Sequence, residues 1–237
     1  MTRTEPGYGG GAASVRPGGA RSTPSYGGPM RLVLVRHGDA HAGFHGVIGG
    51  EQGCTGLTDL GRRQAGALRE RFARWPGLQA DALLASTLPR AVETASIVAP
   101  GLGLDLGGRE CDLCEVHTGE ADGLTWAEYG ERYGSFDMEA EPDRVFAPAG
   151  DSWNSFHERV AGVLGRIARE YEDRTVVAVC HAGVIVASLR VLVGLAPAAA
   201  ARVRPRNTGL TVWGHDAATG QWALHTFNDA AHLPGLP

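Results

Sequence analysis

Three apolar segments of this chain end in residues that could bind and transfer an anionic group. The run RLVLVRHG delivers Arg36 and His37 at the end of a predicted buried strand, and the run TVVAVCHAG delivers His181 in the same way. Between them, LLASTLPRAVETA changes from a strand pattern to a helix pattern, which puts Arg90 in the first turn of the helix. Because ligand crevices form at the carboxyl ends of parallel strands, we expect these two imidazoles and two guanidiniums to converge in one pocket.

The chemistry that suits such a pocket is phosphoryl transfer. An arginine guanidinium can donate two parallel hydrogen bonds to the oxygens of a phosphate. A neutral imidazole nitrogen is a competent nucleophile, so His37 could form a phosphohistidine. The reaction also needs an acid that protonates the leaving oxygen, and Glu115 is the best candidate by position. Asp112, Glu120 and Asp122 lie close enough in the sequence to compete for this role.

Several short motifs accompany these residues. They are RHG at Arg36, GLTDLGRRQA from Gly56 to Ala65, S-x-x-x-R-A-x-x-T-A from Ser86 to Ala95, the acidic Glu115, and H-x-G at His181. In this order and approximate spacing, the chain resembles the histidine phosphatase superfamily, also called the phosphoglycerate mutase-like family. The resemblance runs from about residue 31 to near the C-terminus. Any one motif is weak, but the ordered set is specific.

The resemblance implies a role for each matching residue. It assigns His37 as the nucleophile that becomes phosphorylated, and Glu115 as the proton donor that later activates water. Arg36, Arg90 and His181 would complete the phosphate pocket, as catalytic and substrate-binding residues. Hydrolysis in the family needs no metal and no organic cofactor, which agrees with the positive charge that two arginines and a second histidine supply. Further residues expected to contact the substrate are Thr55, Gly56, His117 and Ala182.

The chain also departs from the family pattern. Asp39, Ala40 and Gly43 stand where the family often has Glu, Ser or Thr, and Asn, and Gly43 removes a plausible contact to the phosphate. The mutases of the family carry paired arginines after the acid, whereas this region is acidic and offers only Arg132 and Arg144. The sequence therefore favours a phosphatase that acts on a small phosphorylated metabolite. A cofactor-dependent phosphoglycerate mutase and a non-catalytic phospho-ligand binding module are the alternatives.

Two other groups of residues could bind a metal. His37, His41 and His45 are four residues apart, but the glycines between them oppose a stable helix, so no metal site is expected there. The glycine-rich segment 41–56 is interpreted as a loop over the pocket, either a lid or an ordinary surface loop. The pair in 111–114 is a single C-x-x-C, and without a second pair it predicts no structural zinc site.

Three isolated residues have both functional and structural interpretations. His117 could touch the substrate or tune the acid, or it could be a solvated loop histidine. Cys180 is expected to be a small core residue, and Cys54 is expected to be exposed in the glycine-rich loop. The chain holds four cysteines in 237 residues, which is typical of a reducing compartment.

Composition and charge fit one domain of a soluble enzyme. The formal net charge is −4 and the pI is about 6.1, so the sequence lacks the excess positive charge typical of proteins that bind nucleic acid or an anionic membrane. The segment 1–29 is rich in glycine, proline and serine, so we expect a disordered tail followed by a domain at 30–237, with Met30 as an alternative start. No apolar run is long enough to span a bilayer and no signal peptide is recognisable, which predicts a cytoplasmic location.

Strand and helix patterns alternate along the predicted domain. The predicted strands are 31–36, 82–86, 175–180, 209–214 and 222–227, and the predicted helices are 58–74, 88–98, 124–133, 152–171 and 183–193. This alternation predicts an α/β fold, a three-layer α/β/α sandwich around a mostly parallel sheet. The last two strands form a hairpin that supplies an antiparallel edge. The resemblance implies that the fold is of the phosphoglycerate mutase-like type.

Overall fold

One mixed sheet forms the middle layer in the computed structural model, which describes residues 29–135, 137–194 and 203–236. The strands of these residues are Met30–Arg36 (β1), Ala82–Ala85 (β2), Gly108–Arg109 (β3), Thr175–Cys180 (β4), Leu210–Asp216 (β5) and Gln221–Asp229 (β6). Their order across the sheet is β3-β2-β4-β1-β5-β6. The pairs among β1 to β4 are parallel, and β5 pairs antiparallel with both β1 and β6. The predicted parallel sheet with an antiparallel edge is confirmed.

Helices cover both faces of this sheet. The described helices are His41–Phe44 (α1), Asp59–Ala73 (α2), Pro89–Leu102 (α3), Trp126–Tyr133 (α4), Trp153–Glu170 (α5) and Ala182–Val193 (α6). The helices α2 and α3 share one hydrophobic core with one face of the sheet, and α5 and α6 share a second core with the other face. The predicted three-layer α/β/α sandwich is therefore confirmed.

The apolar run of β1 is explained by its central position between β4 and β5. Leu32 and Leu34 belong to the core under α5 and α6, whereas Val33 and Val35 belong to the core under α2 and α3. All four side chains are fully buried, and burial of each such side chain stabilises the fold by about 1.5–3 kcal/mol. The strand is thereby fixed, so Arg36 emerges at a defined point on the carboxyl edge of the sheet.

Local signals in the sequence start and stop the helices. The Thr58 hydroxyl accepts the backbone N–H of Gly61 at the start of α2, and Ser152 caps α5 in a capping box. Pro89 is the first residue of α3, where its missing N–H costs nothing. The helix α3 runs past its predicted end at 98 and stops at Gly103, whose φ of +66° is left-handed.

The segment 41–56 differs from its prediction in two respects. Its glycines do not prevent a helical turn, α1, because bridges on both sides fix the chain and the N–H of His45 reaches the carbonyl of His41 at 2.9 Å. The prediction that Cys54 is exposed was wrong, since Cys54 is 6% exposed. The prediction that Cys180 lies in the core is confirmed.

Two predictions concern the ends of the chain and the membrane. Residues 1–28 of the predicted tail lie outside the described residues, so the tail stays a prediction. Among the helices that the structure describes, none combines the length and the apolar character needed to cross a bilayer.

Candidate active site

The carboxyl ends of β1, β4 and β2, which are neighbours in the sheet, carry the predicted site residues. His37 follows β1 and His181 follows β4, and Arg90 is the second residue of the helix that follows β2. All three side chains are buried, and the ring centroids of His37 and His181 are 5.1 Å apart. The structure thus brings together the two imidazoles that the sequence separates by more than half of the chain.

His37 is held in one tautomer by its two neighbours. Its Nδ1 lies 2.7 Å from the carbonyl oxygen of Gly38, which can only accept, so Nδ1 carries the proton. The Nε–H of Arg90 donates to its Nε2 over 3.1 Å, which requires a lone pair on Nε2. The unprotonated nitrogen of His37 is therefore Nε2.

Both histidines are kept neutral by their surroundings. Burial lowers the pKa of His37 well below its usual value, and the positive charges of Arg90 and Arg36 lower it further. Burial and Arg90 lower the pKa of His181 in the same way. A neutral imidazole is the nucleophilic form, so the arrangement keeps His37 in the form that its predicted role as nucleophile requires.

Two buried polar atoms in the pocket are left without a hydrogen bond. Arg36 donates through one terminal nitrogen to the carbonyl of Pro205 at 2.7 Å, but among the described residues its Nε has no partner. The Nδ1 of His181 also has none within the part of the chain that the structure describes, whereas its Nε2 lies 2.8 Å from the Ser86 hydroxyl. An unsatisfied buried polar group costs about 1–3 kcal/mol, so the free Nε–H of Arg36 marks a place where an anionic ligand would be stabilised.

Glu115 lies at the same edge, next to the helix that follows His181. Its carboxylate accepts the backbone N–H of Gly183, in the first turn of α6, at 3.0 Å. A carboxylate at a helix N-terminus is favoured by the helix dipole. Glu115 also exerts a Coulombic effect on Arg36, raising its pKa against the larger lowering by burial. The charge of Glu115 is therefore felt at Arg36, in agreement with their predicted place in one site.

Arg159, which sequence reasoning missed, holds the loop that carries Glu115. Its guanidinium donates to the carbonyl oxygens of Cys114 at 3.0 Å and Glu115 at 3.1 Å, and it pairs with Asp151 at 2.5 Å. Its side chain is only 12% exposed. No local pattern could reveal this role, because Arg159 is a polar residue of α5 that lies 44 residues after Glu115 in the sequence.

A close backbone contact between Gly38 and Gly61 explains why the motifs have glycine at these two positions. A Cβ built on Gly38 would lie 2.6 Å from the carbonyl oxygen of Gly61, so the loop after β1 and the start of α2 can approach only without side chains. The Gly38 N–H donates to the Thr94 hydroxyl at 3.1 Å, and Thr94 in turn donates to the carbonyl of Arg90. The His37 turn is thereby tied to the helix that carries Arg90.

Polar contacts also hold the surrounding loops in place. Asn207, which sequence reasoning missed, donates its side-chain N–H to the carbonyl of His37 at 2.9 Å. Arg90 donates to the carbonyl of Gly49 at 2.7 Å, which ties the segment 41–56 to the pocket. The role of this segment as a lid stays a prediction.

The four residues expected to contact the substrate lie in different surroundings. Ala182 directly follows His181 as the first residue of α6. His117 is partly exposed on the Glu115 loop. Thr55 is exposed, and a Cβ on Gly56 would lie 2.7 Å from Oε2 of Glu93 rather than against the pocket residues. Their contacts with substrate remain predictions.

The acids that compete with Glu115 have other environments. Asp112 is exposed and pairs with Arg166 at 3.3 Å. Both oxygens of Asp122 accept backbone N–H groups from residues 50–53, so this carboxylate fixes the loop. Glu120 is exposed. Glu115 is thus the acid that the pocket geometry favours.

A cavity of about 190 Å³ opens beside Glu115. Leu88 and residues 114–119 line one side of it, and the loop 50–52 with Asp122 lines the other. A wider cavity of about 720 Å³ lies at the C-terminal end of α2 and contacts none of the residues described above. Of these two cavities, only the smaller contains the predicted proton donor, Glu115.

The fold is α/β, and two histidines and two arginines lie at one edge of its sheet. The chain belongs to the histidine phosphatase superfamily (branch 1), whose family model matches residues 32–230. The resemblance predicted from the ordered motifs is confirmed.

The chain is also similar to individual proteins and to solved structures. The chain is 36% identical over 164 residues to the bifunctional protein Rv2228c of Mycobacterium tuberculosis, covering 69% of this chain but only 43% of that protein. It is 28% identical to a metal-independent phosphoserine phosphatase of Arabidopsis thaliana, over 86% of this chain and 84% of the relative. Its structure is similar to that of a mycobacterial glucosyl-3-phosphoglycerate phosphatase, with a TM-score of 0.69, 26% identity and coverage of 84% and 98% of the two chains.

Proposed function

We propose that this protein hydrolyses small phosphate monoesters through a phosphohistidine formed on Nε2 of His37. The observation that carries the proposal is the hydrogen bonding of His37, in which the Gly38 carbonyl holds the proton on Nδ1 and Arg90 points to the lone pair on Nε2. Among the described residues the Nε–H of Arg36 has no acceptor, and this free donor supports binding of a phosphoryl group beside that lone pair.

In the first step the substrate phosphoryl group takes the position that Arg90 occupies on Nε2. The Nε2 lone pair attacks phosphorus, and the bond from phosphorus to the ester oxygen breaks. Glu115, in its acid form, gives its proton to the departing oxygen. Arg36 and Arg90 stabilise the charge on the equatorial oxygens, which is the main requirement of phosphoryl transfer.

In the second step a water molecule attacks the phosphohistidine. Its proton passes to the Glu115 carboxylate, and the bond between phosphorus and Nε2 breaks with its electron pair returning to the imidazole. The Nδ1–H contact to the Gly38 carbonyl stabilises the positive charge that the phosphorylated ring carries. Phosphate leaves, and the enzyme has regained both its neutral histidine and its acid. Neither step requires a metal ion.

The region after the acid argues for hydrolysis over mutase activity. Arg144 is engaged with the carbonyl of Tyr133 at 2.9 Å and with Glu141 at 3.4 Å, and Arg132 is exposed on α4. The pairing of Arg144 with Glu141 reduces the positive charge available to hold a second acidic group of a priming cofactor. The names of two relatives, a phosphoserine phosphatase and a glucosyl-3-phosphoglycerate phosphatase, suggest phosphorylated hydroxy acids as the substrate class.

The test is phosphate release from a panel of monoesters with EDTA present. The panel contains phosphoserine, glucosyl-3-phosphoglycerate, 3-phosphoglycerate and p-nitrophenyl phosphate. We expect the wild type to release phosphate, and we expect the rate to fall by at least about a thousandfold in His37→Ala. The matched control is His225→Ala, at an exposed histidine, which should keep the wild-type rate.

Two results would contradict the proposal. Isomerisation of 3-phosphoglycerate that depends on 2,3-bisphosphoglycerate, without net phosphate release, would establish a mutase. Binding of inorganic phosphate without turnover of any ester would establish a binding module.

A further inference from the structure

Two cysteines and a histidine converge beside the cavity, and none of them takes part in the hydrolytic steps above. They occur in the pattern C-x-x-C-x-x-H at Cys111, Cys114 and His117. The two sulfur atoms and one imidazole nitrogen all lie within 4.8 Å of one another. The sequence has this histidine three residues after the C-x-x-C, but spacing alone does not place its ring nitrogen beside the two sulfurs. The structure adds His117 because the chain turns through a short 3-10 helix at Cys111–Leu113 and then folds back.

The spacing of these atoms suits a tetrahedral metal ion. The distance between Cys111 Sγ and His117 Nε2 is 3.5 Å. Zinc bonds of about 2.3 Å to sulfur and about 2.0 Å to nitrogen at a tetrahedral angle place the two ligand atoms about 3.6 Å apart. The same geometry needs about 3.8 Å between the two sulfurs, which lie within 4.8 Å of each other.

Asp151 orients the histidine for this role. Its Oδ2 accepts the backbone N–H of His117 at 2.9 Å and lies 3.6 Å from the ring Nδ1. Nε2 therefore faces the sulfurs while Nδ1 faces a carboxylate, which is the outer-shell arrangement of most histidines that bind metals. Asp151 is itself fixed by Arg159 at 2.5 Å.

The buried cysteine is also prepared as a ligand. The Ser86 hydroxyl donates to Cys114 Sγ at 3.2 Å, and the Thr87 hydroxyl lies 3.1 Å from the same atom. Hydrogen bonds to sulfur favour the thiolate, which is the form that binds metals.

We infer that Cys111, Cys114 and His117 form a binding site for a thiophilic divalent cation of the zinc type. Three protein ligands of this kind leave one coordination position open, as in zinc sites that take a water or an anionic ligand. All three residues line the cavity that also contains Glu115, so the open position lies at the wall of that cavity. The inference does not depend on the hydrolytic proposal, since no step of hydrolysis uses these side chains.

The test is titration of the EDTA-treated, fully reduced, full-length protein with Co²⁺, followed by optical absorption. We expect one Co²⁺ per chain, with a thiolate charge-transfer band in the near ultraviolet and intense visible bands of a tetrahedral ion, all removed by one equivalent of Zn²⁺. Cys111→Ser and His117→Asn should each weaken the affinity by about tenfold or more. Cys54→Ser and His225→Asn, which change the same residue types outside the cluster, should leave the titration unchanged.

Several outcomes would overturn the inference. These are absence of the thiolate band, binding that persists unchanged in Cys111→Ser, and equal loss in Cys54→Ser. Formation of a disulfide between Cys111 and Cys114, with no Co²⁺ binding after reduction, would identify a redox pair instead of a metal site. Because Cys111 is exposed, Cys111→Ser is expected to fold, and circular dichroism checks this. Phosphate release by the metal-free protein is a separate measurement, so failure of either proposal is seen independently of the other.

Discussion

Gly183 makes the space that the Glu115 carboxylate occupies. A Cβ built on Gly183 would overlap Oε1 of Glu115, while the Gly183 N–H donates to Oε2 at 3.0 Å. The glycine of the H-x-G motif is therefore tied to the acid and not only to the turn after His181. This contact links two motifs that lie 68 residues apart in the sequence.

Gly183→Ala should displace the acid while leaving the nucleophile in place. We expect kcat/KM for alkyl phosphates to fall by about tenfold to a hundredfold, because their leaving oxygen needs a proton. The loss on p-nitrophenyl phosphate should be much smaller. The matched control is Gly162→Ala on α5, where an added Cβ meets nothing within 4 Å. Equal losses on both substrates would mean that the substitution damages the phosphate pocket instead.

Glu115→Gln tests the acid directly. Removal of a general acid typically costs about 10²–10⁴ in rate, and the cost falls as the leaving group becomes a better one. We therefore expect kcat/KM, which reports the first step, to fall by at least about a hundredfold on alkyl phosphates and by less than about tenfold on p-nitrophenyl phosphate. The exposed Glu120 provides the control, Glu120→Gln, which should behave as wild type. If Glu120→Gln shows the leaving-group dependence and Glu115→Gln does not, the assignment is wrong.

Arg159→Lys should loosen the loop that presents the acid. A lysine cannot reproduce the fork that reaches two carbonyl oxygens of this loop and the Asp151 carboxylate. We expect about a tenfold loss of kcat on alkyl phosphates with little change in KM. A purely structural role would lower stability without this dependence on the leaving group. Arg169→Lys, an exposed change on the same helix, is the control for the substitution itself.

The sequence predicts the parts of this site that depend on strand ends. A buried apolar strand must finish at the carboxyl edge, so His37 and His181 could be placed there from pattern alone. Arg159 and Asn207 could not, because their contacts come from segments that local periodicity does not connect to the pocket. The burial of Cys54 was missed for the same reason, since composition describes a loop as exposed until its tertiary contacts are known.

The last prediction concerns the pH dependence of stability. In the folded protein burial and Arg90 hold the pKa of His37 well below its usual value, whereas the unfolded chain titrates near that usual value. The unfolded state therefore binds more protons as the pH falls below the usual histidine range, and stability is lost on acidification. Each such histidine contributes a slope of up to about 1.4 kcal/mol per pH unit to the free energy of unfolding.

The measurement is urea unfolding of wild type and His37→Gln at pH 7.5, 6.5 and 5.5. Wild type should lose stability between pH 6.5 and 5.5. His37→Gln should lose less over the same interval, because the lowered pKa of His37 has been removed while those of His157, His181 and His232 remain. The exposed His225 supplies the control His225→Gln, whose pH slope should match that of wild type. A slope in His37→Gln equal to that of wild type would mean that His37 takes up its proton in the folded protein as readily as in the unfolded chain. The neutral nucleophile on which hydrolysis depends would then have to be formed by substrate binding rather than by the fold.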